Sequence, residues 1–121
     1  MSKSILIVED FPETLKLLVS ILERAGYEVR TAETGEEALE SLSANKFDLV
    51  LLDIMLPRVD GFEVCRRIKS DPKTQEIPVV ALTAFDVPDI VSKCAAAGTD
   101  DVILKPFDVD NLLKVIKKYL S

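Results

Sequence analysis

Four apolar runs in this sequence are each followed at once by side chains that can do chemistry. In chain order these side chains are Glu9 with Asp10, then Asp53, Thr83 and Lys105. The runs that precede them are Ile5–Val8, Leu49–Leu52, Val79–Leu82 and Val102–Leu104. If the runs are parallel strands of one sheet, the side chains meet at the edge where ligands bind in open α/β folds. The sequence therefore predicts one site that holds carboxylates, a hydroxyl and an ammonium.

Carboxylates gathered in this way repel one another. Two of them about 4 Å apart repel by roughly 4 kcal/mol at an effective dielectric constant of about 20, and a bound cation or a raised pKa relieves that repulsion. Oxygen ligands without histidine favour a hard cation, so Glu9, Asp10 and Asp53 indicate Mg²⁺, and Mn²⁺ meets the same requirements. Because Mg²⁺ often binds phosphate oxygens as well, Thr83 and Lys105 favour a site for a transient phosphoryl group.

Strand-like and helix-like segments alternate five times along the chain. Continuous apolar runs are typical of strands covered on both faces, whereas Val29-Arg30-Thr31-Ala32 alternates and is predicted to be an edge strand. The helices are predicted from apolar residues three to four positions apart. Strict alternation predicts an α/β fold, a (βα)5 flavodoxin-like, doubly wound parallel five-stranded sheet of strand order 2-1-3-4-5.

Start and stop signals bound the predicted helices. Gly26 and Gly98 are predicted to end the first and fourth helices. Thr34 with Glu37 forms a predicted capping box for the second helix. Aspartates are predicted to begin the last three helices, and these are Asp60, Asp86 and Asp108.

Composition restricts the function classes. The chain has 121 residues, which suits one domain, and a formal net charge of -6, which disfavours direct nucleic-acid binding. It contains no histidine, so it carries no phosphohistidine of its own. Cys65 and Cys94 are predicted to be buried free thiols. Since no apolar stretch approaches the roughly 20 residues of a membrane span, we expect no membrane insertion and a cytoplasmic protein.

These motifs, taken in order, resemble the response-regulator receiver domain, the CheY-like phosphoacceptor of two-component signalling. The resemblance runs from Lys3 to Leu120 and rests on Glu9-Asp10, Leu51-Leu52-Asp53-Ile54-Met55-Leu56-Pro57, Asp60-Gly61, Pro78-Val79-Val80-Ala81-Leu82-Thr83-Ala84 and Lys105-Pro106-Phe107. It implies a single receiver domain over residues 1–121 without an output domain. It also implies a signalling switch with self-directed phosphotransfer and autodephosphorylation, and not a turnover enzyme.

The resemblance implies a role for each matching residue. Asp53 is the phosphoacceptor, and Asp53, Asp10, Glu9 and the backbone carbonyl of Met55 bind Mg²⁺, with Glu9 acting mostly through water. Thr83 and Lys105 contact phosphoryl oxygens, and the bond between Lys105 and Pro106 is cis. The implied partners are a sensor histidine kinase or histidine phosphotransfer protein and a downstream protein target.

One position departs from the family pattern, and three alternatives stay open. Val102 stands where the family usually has Tyr or Phe, so the usual movement of an aromatic ring is lacking. The domain could also be a receiver module from a larger regulator or hybrid kinase, or a receiver that only binds partners. An aspartate-nucleophile phosphatase is disfavoured because Met55 stands where its second acid is needed, and a flavin-binding electron carrier because Glu9 and Asp10 repel phosphate.

Overall fold

Five strands alternate with five helices in the computed structural model, which describes residues 2–55, 60–84 and 89–120. The strands are β1 (Ser4–Val8), β2 (Glu28–Ala32), β3 (Leu49–Asp53), β4 (Val79–Ala84) and β5 (Asp101–Lys105). The helices are α1 (Pro12–Arg24), α2 (Gly35–Ala44), α3 (Gly61–Ser70), α4 (Ile90–Ala97) and α5 (Val109–Leu120). None of the described helices is long and apolar enough to cross a bilayer.

The strands form one parallel sheet in the order β2-β1-β3-β4-β5, which confirms the predicted fold and strand order. The register aligns Asp53 with Leu82, and Ala84 with Lys105. Because of this register, the carboxyl ends of the strands lie side by side along one edge of the sheet. The other edge carries the strand starts.

Helices cover both faces of the sheet, and each face has its own core. Alternate residues of the central strands point to opposite faces. Leu6, Val50 and Ala81 belong to the core under α2, α3 and α4, whereas Leu51 and Val80 belong to the core under α1 and α5. Two apolar faces explain why the central strands have continuous apolar runs.

The two edge strands differ from the central ones. β2 is an edge strand, as predicted, and most of its residues are exposed. β5 forms the other edge, and it is less covered than its apolar run predicted. Ile103 is buried there, but Val102 and Leu104 are only half-buried, because no strand pairs with the outer side of β5 in the described sheet.

Several helices begin with a capping hydrogen bond to the residue that the sequence predicted as their start. Thr34 Oγ1 accepts a hydrogen bond from the Glu37 backbone N–H at 3.1 Å. Asp60 Oδ1 accepts one from the Glu63 N–H at 2.9 Å, and Asp108 Oδ1 accepts one from the Asn111 N–H at 2.7 Å. Gly26 and Gly98 follow α1 and α4 with positive φ, as the stop signals predicted. Asp86, the predicted start of the fourth helix, lies outside the described residues.

Candidate functional site

The carboxyl edge of the sheet brings the three predicted carboxylates together. Glu9 and Asp10 follow β1, and Asp53 is the last residue of β3, the strand next to β1. One carboxylate oxygen from each of the three lies within 4.8 Å of the other two. Lys105, at the end of β5, reaches the same cluster although β4 lies between β5 and β3 in the sheet. The sheet topology therefore creates the cluster from residues far apart in sequence.

Burial divides the cluster into an inner and an outer part. Glu9 is 0% exposed and Asp53 is 4% exposed, so water screens these two carboxylates poorly. Asp10 is exposed, and so is the Met55 side chain. A ligand in this site would therefore contact solvent on the side of Asp10 and protein on the side of Glu9.

Glu9 is oriented by two hydrogen bonds. Its Oε1 accepts a hydrogen bond from Lys105 Nζ at 3.0 Å, and its Oε2 accepts one from the Phe11 backbone N–H at 3.2 Å. The Glu9 backbone N–H itself donates to the Ala32 carbonyl at 3.0 Å, which continues the pairing of β1 with β2. A buried charge needs such partners, because burial without them is costly.

Asp53 has one carboxylate oxygen held by the backbone and the other facing a cation. Its Oδ1 accepts a hydrogen bond from the Met55 N–H at 3.0 Å. Its Oδ2 lies 3.5 Å from Lys105 Nζ. This arrangement fixes the orientation of the carboxylate by means of the backbone that follows β3.

Thr83 lies in β4, next to the strand that carries Asp53. Its side chain is 1% exposed, and its hydroxyl has no hydrogen-bond partner among the described residues. An unsatisfied buried polar group costs about 1–3 kcal/mol. A ligand that accepted a hydrogen bond from Thr83 would remove this cost.

The close packing of charges shifts two pKa values. Burial raises the pKa of the Glu9 carboxyl, the nearby Asp53 carboxyl raises it further, and Lys105 opposes the shift. For Lys105, burial alone would lower the pKa of the ammonium, but Glu9 and Asp53 outweigh it and the pKa is raised. Lys105 therefore stays charged and neutralises part of the negative charge of the cluster.

The donor set suits a hard divalent cation. All three clustered residues offer carboxylate oxygens, and neither histidine nor cysteine belongs to the cluster. One ammonium faces three carboxylates, so negative charge remains for a cation to neutralise. The cluster is compatible with Mg²⁺ on the chemistry of its ligands.

The structure also bears on a purely local interpretation of Asp10. An aspartate just before a helix often caps it, but the N-cap of α1 is Phe11 and no side chain caps that end. Asp10 thus has no capping role that would explain its position.

The close pairing of Lys105 with Glu9 went beyond the sequence prediction, which gave Glu9 only a metal-binding role. The Lys105–Pro106 bond is cis, as the resemblance implied.

The fold and the acidic cluster define a flavodoxin-like α/β protein with its site at the carboxyl ends of the strands. The family model of the response regulator receiver domain matches residues 5–117, and the chain belongs to this family. A curated relative from Brucella ovis, the polar-differentiation response regulator DivK, is 38% identical over 121 residues, which is 100% of this chain and 98% of the relative.

Solved structures agree with this assignment. A protein described as a response regulator from Chloroflexus aurantiacus matches with a TM-score of 0.95 and 35% identity, over 99% of this chain and 98% of that chain. The receiver domain of a sensor histidine kinase from Pseudomonas aeruginosa matches with a TM-score of 0.91 and 29% identity, over 98% of both chains. That receiver domain has a magnesium ion coordinated in its active-site cleft.

Proposed function

We propose that this receiver domain accepts a phosphoryl group from a phosphohistidine onto Asp53 in a Mg²⁺-dependent reaction, and that the modification changes its binding to partner proteins. The observation that carries the proposal is the setting of Asp53. Its carboxylate is almost fully buried, it is oriented by the Met55 N–H, and it lies beside an ammonium and two further carboxylates. A carboxylate that served only as a loop cap would need neither the ammonium nor the acids.

The reaction is a transfer of one phosphoryl group. A carboxylate oxygen of Asp53 forms a bond to phosphorus while the bond between phosphorus and the donor's imidazole nitrogen breaks. The electron pair of the broken bond stays on the imidazole. Positioning and neutralisation of charge account for most of the catalysis in such reactions. Water later attacks the phosphorus atom of the aspartyl phosphate, and the bond between phosphorus and the Asp53 oxygen breaks. Hydrogen phosphate and a proton leave and the Asp53 carboxylate is restored, so the domain acts as a switch with autodephosphorylation.

Each nearby residue has a proposed role in this reaction. Glu9, Asp10, Asp53 and the Met55 carbonyl would hold Mg²⁺, and Mn²⁺ suits the same ligands. When bound, the ion supplies positive charge that offsets the charge on the phosphoryl oxygens. Lys105 supplies a second positive charge from the side of Glu9 and Asp53.

Thr83 completes the proposed site. Its unpartnered hydroxyl donates a hydrogen bond to a phosphoryl oxygen. That bond satisfies the buried hydroxyl only when Asp53 carries the phosphoryl group. Thr83 therefore responds to phosphorylation, and it connects the site to the segment that leads to α4.

The donor histidine has to lie outside these 121 residues, because they contain none. We propose a sensor histidine kinase or a histidine phosphotransfer protein as the donor and a downstream protein as the target. The proposed role is that of a signalling switch with self-directed phosphotransfer, and not of a turnover enzyme. The two free buried thiols, Cys65 and Cys94, suit a reducing compartment, and we propose the cytoplasm.

Phosphorylation of Asp53 can be tested directly. The wild-type protein, Asp53→Asn and Asp110→Asn are incubated with Mg²⁺ and acetyl phosphate, a small phosphoryl donor, and their intact masses are measured. Asp110 is an exposed acid on α5 and serves as the matched control. We expect one added phosphoryl group in the wild type and in Asp110→Asn, and none in Asp53→Asn. Equal modification of Asp53→Asn, or a modified wild type without Mg²⁺, would contradict the proposal.

A further inference from the structure

Gly61, the first residue of α3, lies unusually close to the backbone that follows β3. A Cβ atom built on Gly61 would be 2.5 Å from Ile54 Cα, 2.8 Å from the Asp53 carbonyl oxygen and 2.8 Å from the Ile54 carbonyl oxygen. All three neighbours are backbone atoms, so no rotation of a side chain relieves the contact. Gly61 does not have the positive φ of Gly26 and Gly98. The requirement for glycine at this position is therefore one of space.

A hydrogen bond joins the same two segments. The Gly61 N–H donates to the Ile54 carbonyl at 2.9 Å. This N–H belongs to the first turn of a helix, where backbone donors have no partner within the helix. Asp60 caps the same turn by accepting a hydrogen bond from the Glu63 N–H. The start of α3 is thus bonded to the carbonyl of Ile54, the residue between Asp53 and Met55.

We propose that Gly61 is a positioning residue for the site. Its missing side chain lets α3 pack directly on Ile54 and so fixes the backbone that carries Asp53 and Met55. The Ile54 side chain is 1% exposed, and its burial in the core holds the same peptide from the other side. The inference rests on the function proposed above, since the Met55 N–H orients Asp53 and the Met55 carbonyl is a proposed Mg²⁺ ligand.

The size of the conflict indicates the effect of a side chain. With alanine at this position, the contact with Ile54 Cα would have to lengthen from 2.5 Å to more than 3.0 Å, and ordinary van der Waals contact begins only at 3.4 Å. Functional groups need to be held within about 0.5 Å of their working geometry. A displacement of the Ile54 peptide by more than that limit moves the Met55 N–H away from Asp53 and moves the Met55 carbonyl with it.

The test compares Gly61→Ala with Gly26→Ala in the full chain. Gly26 lies between α1 and β2, at the edge of the sheet opposite the site, and a Cβ atom there meets nothing within 4 Å. Its positive φ makes alanine unfavourable, so Gly26→Ala controls for lost stability. Mg²⁺ alone is titrated into each protein, and binding is followed by amide chemical shifts. We expect affinity for Mg²⁺ to fall on the order of tenfold to a hundredfold in Gly61→Ala and to stay unchanged in Gly26→Ala.

Equal Mg²⁺ affinity in the two variants would overturn the inference, although the proposed function would stand. If the wild type bound no Mg²⁺ and accepted no phosphoryl group, the proposed function itself would fail. Should Gly61→Ala not fold, the wild type provides a second test. Saturating Mg²⁺ should shift the Gly61 amide, which is bonded to Ile54, while the Gly26 amide stays in place. A Gly61 amide that did not respond would contradict the inference.

Discussion

Lys105 lies closer to Glu9 than to Asp53. Its Nζ is 3.0 Å from Glu9 Oε1 and 3.5 Å from Asp53 Oδ2. Glu9 is the most buried acid of the cluster, so the ammonium neutralises the carboxylate that water can solvate least. Lys105 thus acts as an internal counter-ion for the cluster.

Removal of the Lys105 charge should destabilise the metal-free protein and strengthen Mg²⁺ binding. In Lys105→Met, the buried carboxylate of Glu9 loses its cationic partner, and we expect a loss of about 1–3 kcal/mol in the free energy of unfolding. Mg²⁺ should bind more tightly because no ammonium repels it. Urea unfolding and Mg²⁺ titration check both effects. Lys114→Met, on the exposed face of α5, is the control and should change neither.

Mg²⁺ should raise the melting temperature of the wild-type protein. The ion relieves repulsion among the three carboxylates, and binding to the native state alone adds about 1.4 kcal/mol at ten times the dissociation constant. Thermal unfolding with and without Mg²⁺ measures the effect, and the reference is protein from which a chelator has removed divalent cations. Tens of millimolar Mg²⁺ is about ten times a millimolar dissociation constant. A melting temperature that this concentration left unchanged would argue against a cation site here.

Asp53→Asn should raise the stability of the metal-free protein. The substitution removes one of three clustered negative charges, and the amide keeps the size of the side chain. The same variant should gain less stability from Mg²⁺ than the wild type gains. Urea unfolding in chelator measures the first effect. A metal-free Asp53→Asn protein less stable than the wild type would mean that repulsion does not dominate in the cluster.

The Cys65 thiol should make stability fall at high pH. Burial raises the pKa of Cys65 from 9.0 to about 11. Because the folded-state pKa lies above the unfolded value, the stabilising contribution is complete below pH 9 and is lost as the pH rises through about 11. The expected loss across that window is about 2–3 kcal/mol.

Cys65→Ala removes this titration and isolates its effect. Alanine has no group that ionises, so the difference in unfolding free energy between wild type and variant should stay constant up to pH 9 and shrink above it. Urea unfolding at a series of pH values gives that difference. If the difference in unfolding free energy stayed constant up to pH 11, folding would not raise the pKa of Cys65 from 9.0 to about 11.

Val102 should keep the response to phosphorylation away from β5. Val102 is half-buried and borders a shallow cavity of about 320 Å³ that Val91 and Ala95 of α4 also line. A β-branched side chain is stiff about its first torsion and too short to swing under α4 as an aromatic ring does. With beryllofluoride as a phosphoryl mimic, we expect larger amide shifts at Thr83 and at the start of α4 than along β5.

The variant Val102→Tyr is the matching test. A tyrosine has the reach that valine lacks, so beryllofluoride should then shift the amides of β5 as well. Large shifts along β5 in the wild type would contradict the prediction. An unchanged shift pattern in Val102→Tyr would mean that the missing ring has no part in switching. Residues 85–88, which precede α4, lie outside the described residues.

The sequence alone determined the architecture and the identity of the candidate site residues. Continuous apolar runs such as Leu49–Leu52 predict buried parallel strands because a strand covered on both faces needs apolar side chains on both. The polar residue after each run then falls at the carboxyl edge, whichever helices pack around it. Local capping signals at Thr34, Asp60 and Asp108 predicted helix starts equally well, since a cap involves residues only three positions apart.

Only the tertiary structure decided how these residues contact one another. Lys105 and Glu9 are 96 residues apart, and their pairing depends on the register of four strands and on side-chain conformations that no local pattern contains. The unpartnered Thr83 hydroxyl and the contact of Gly61 with Ile54 likewise result from packing between separate elements. The exposure of Val102 follows from the position of β5 at a sheet edge. An apolar run identifies a strand, but how deeply its side chains are buried depends on the elements that the fold packs against it.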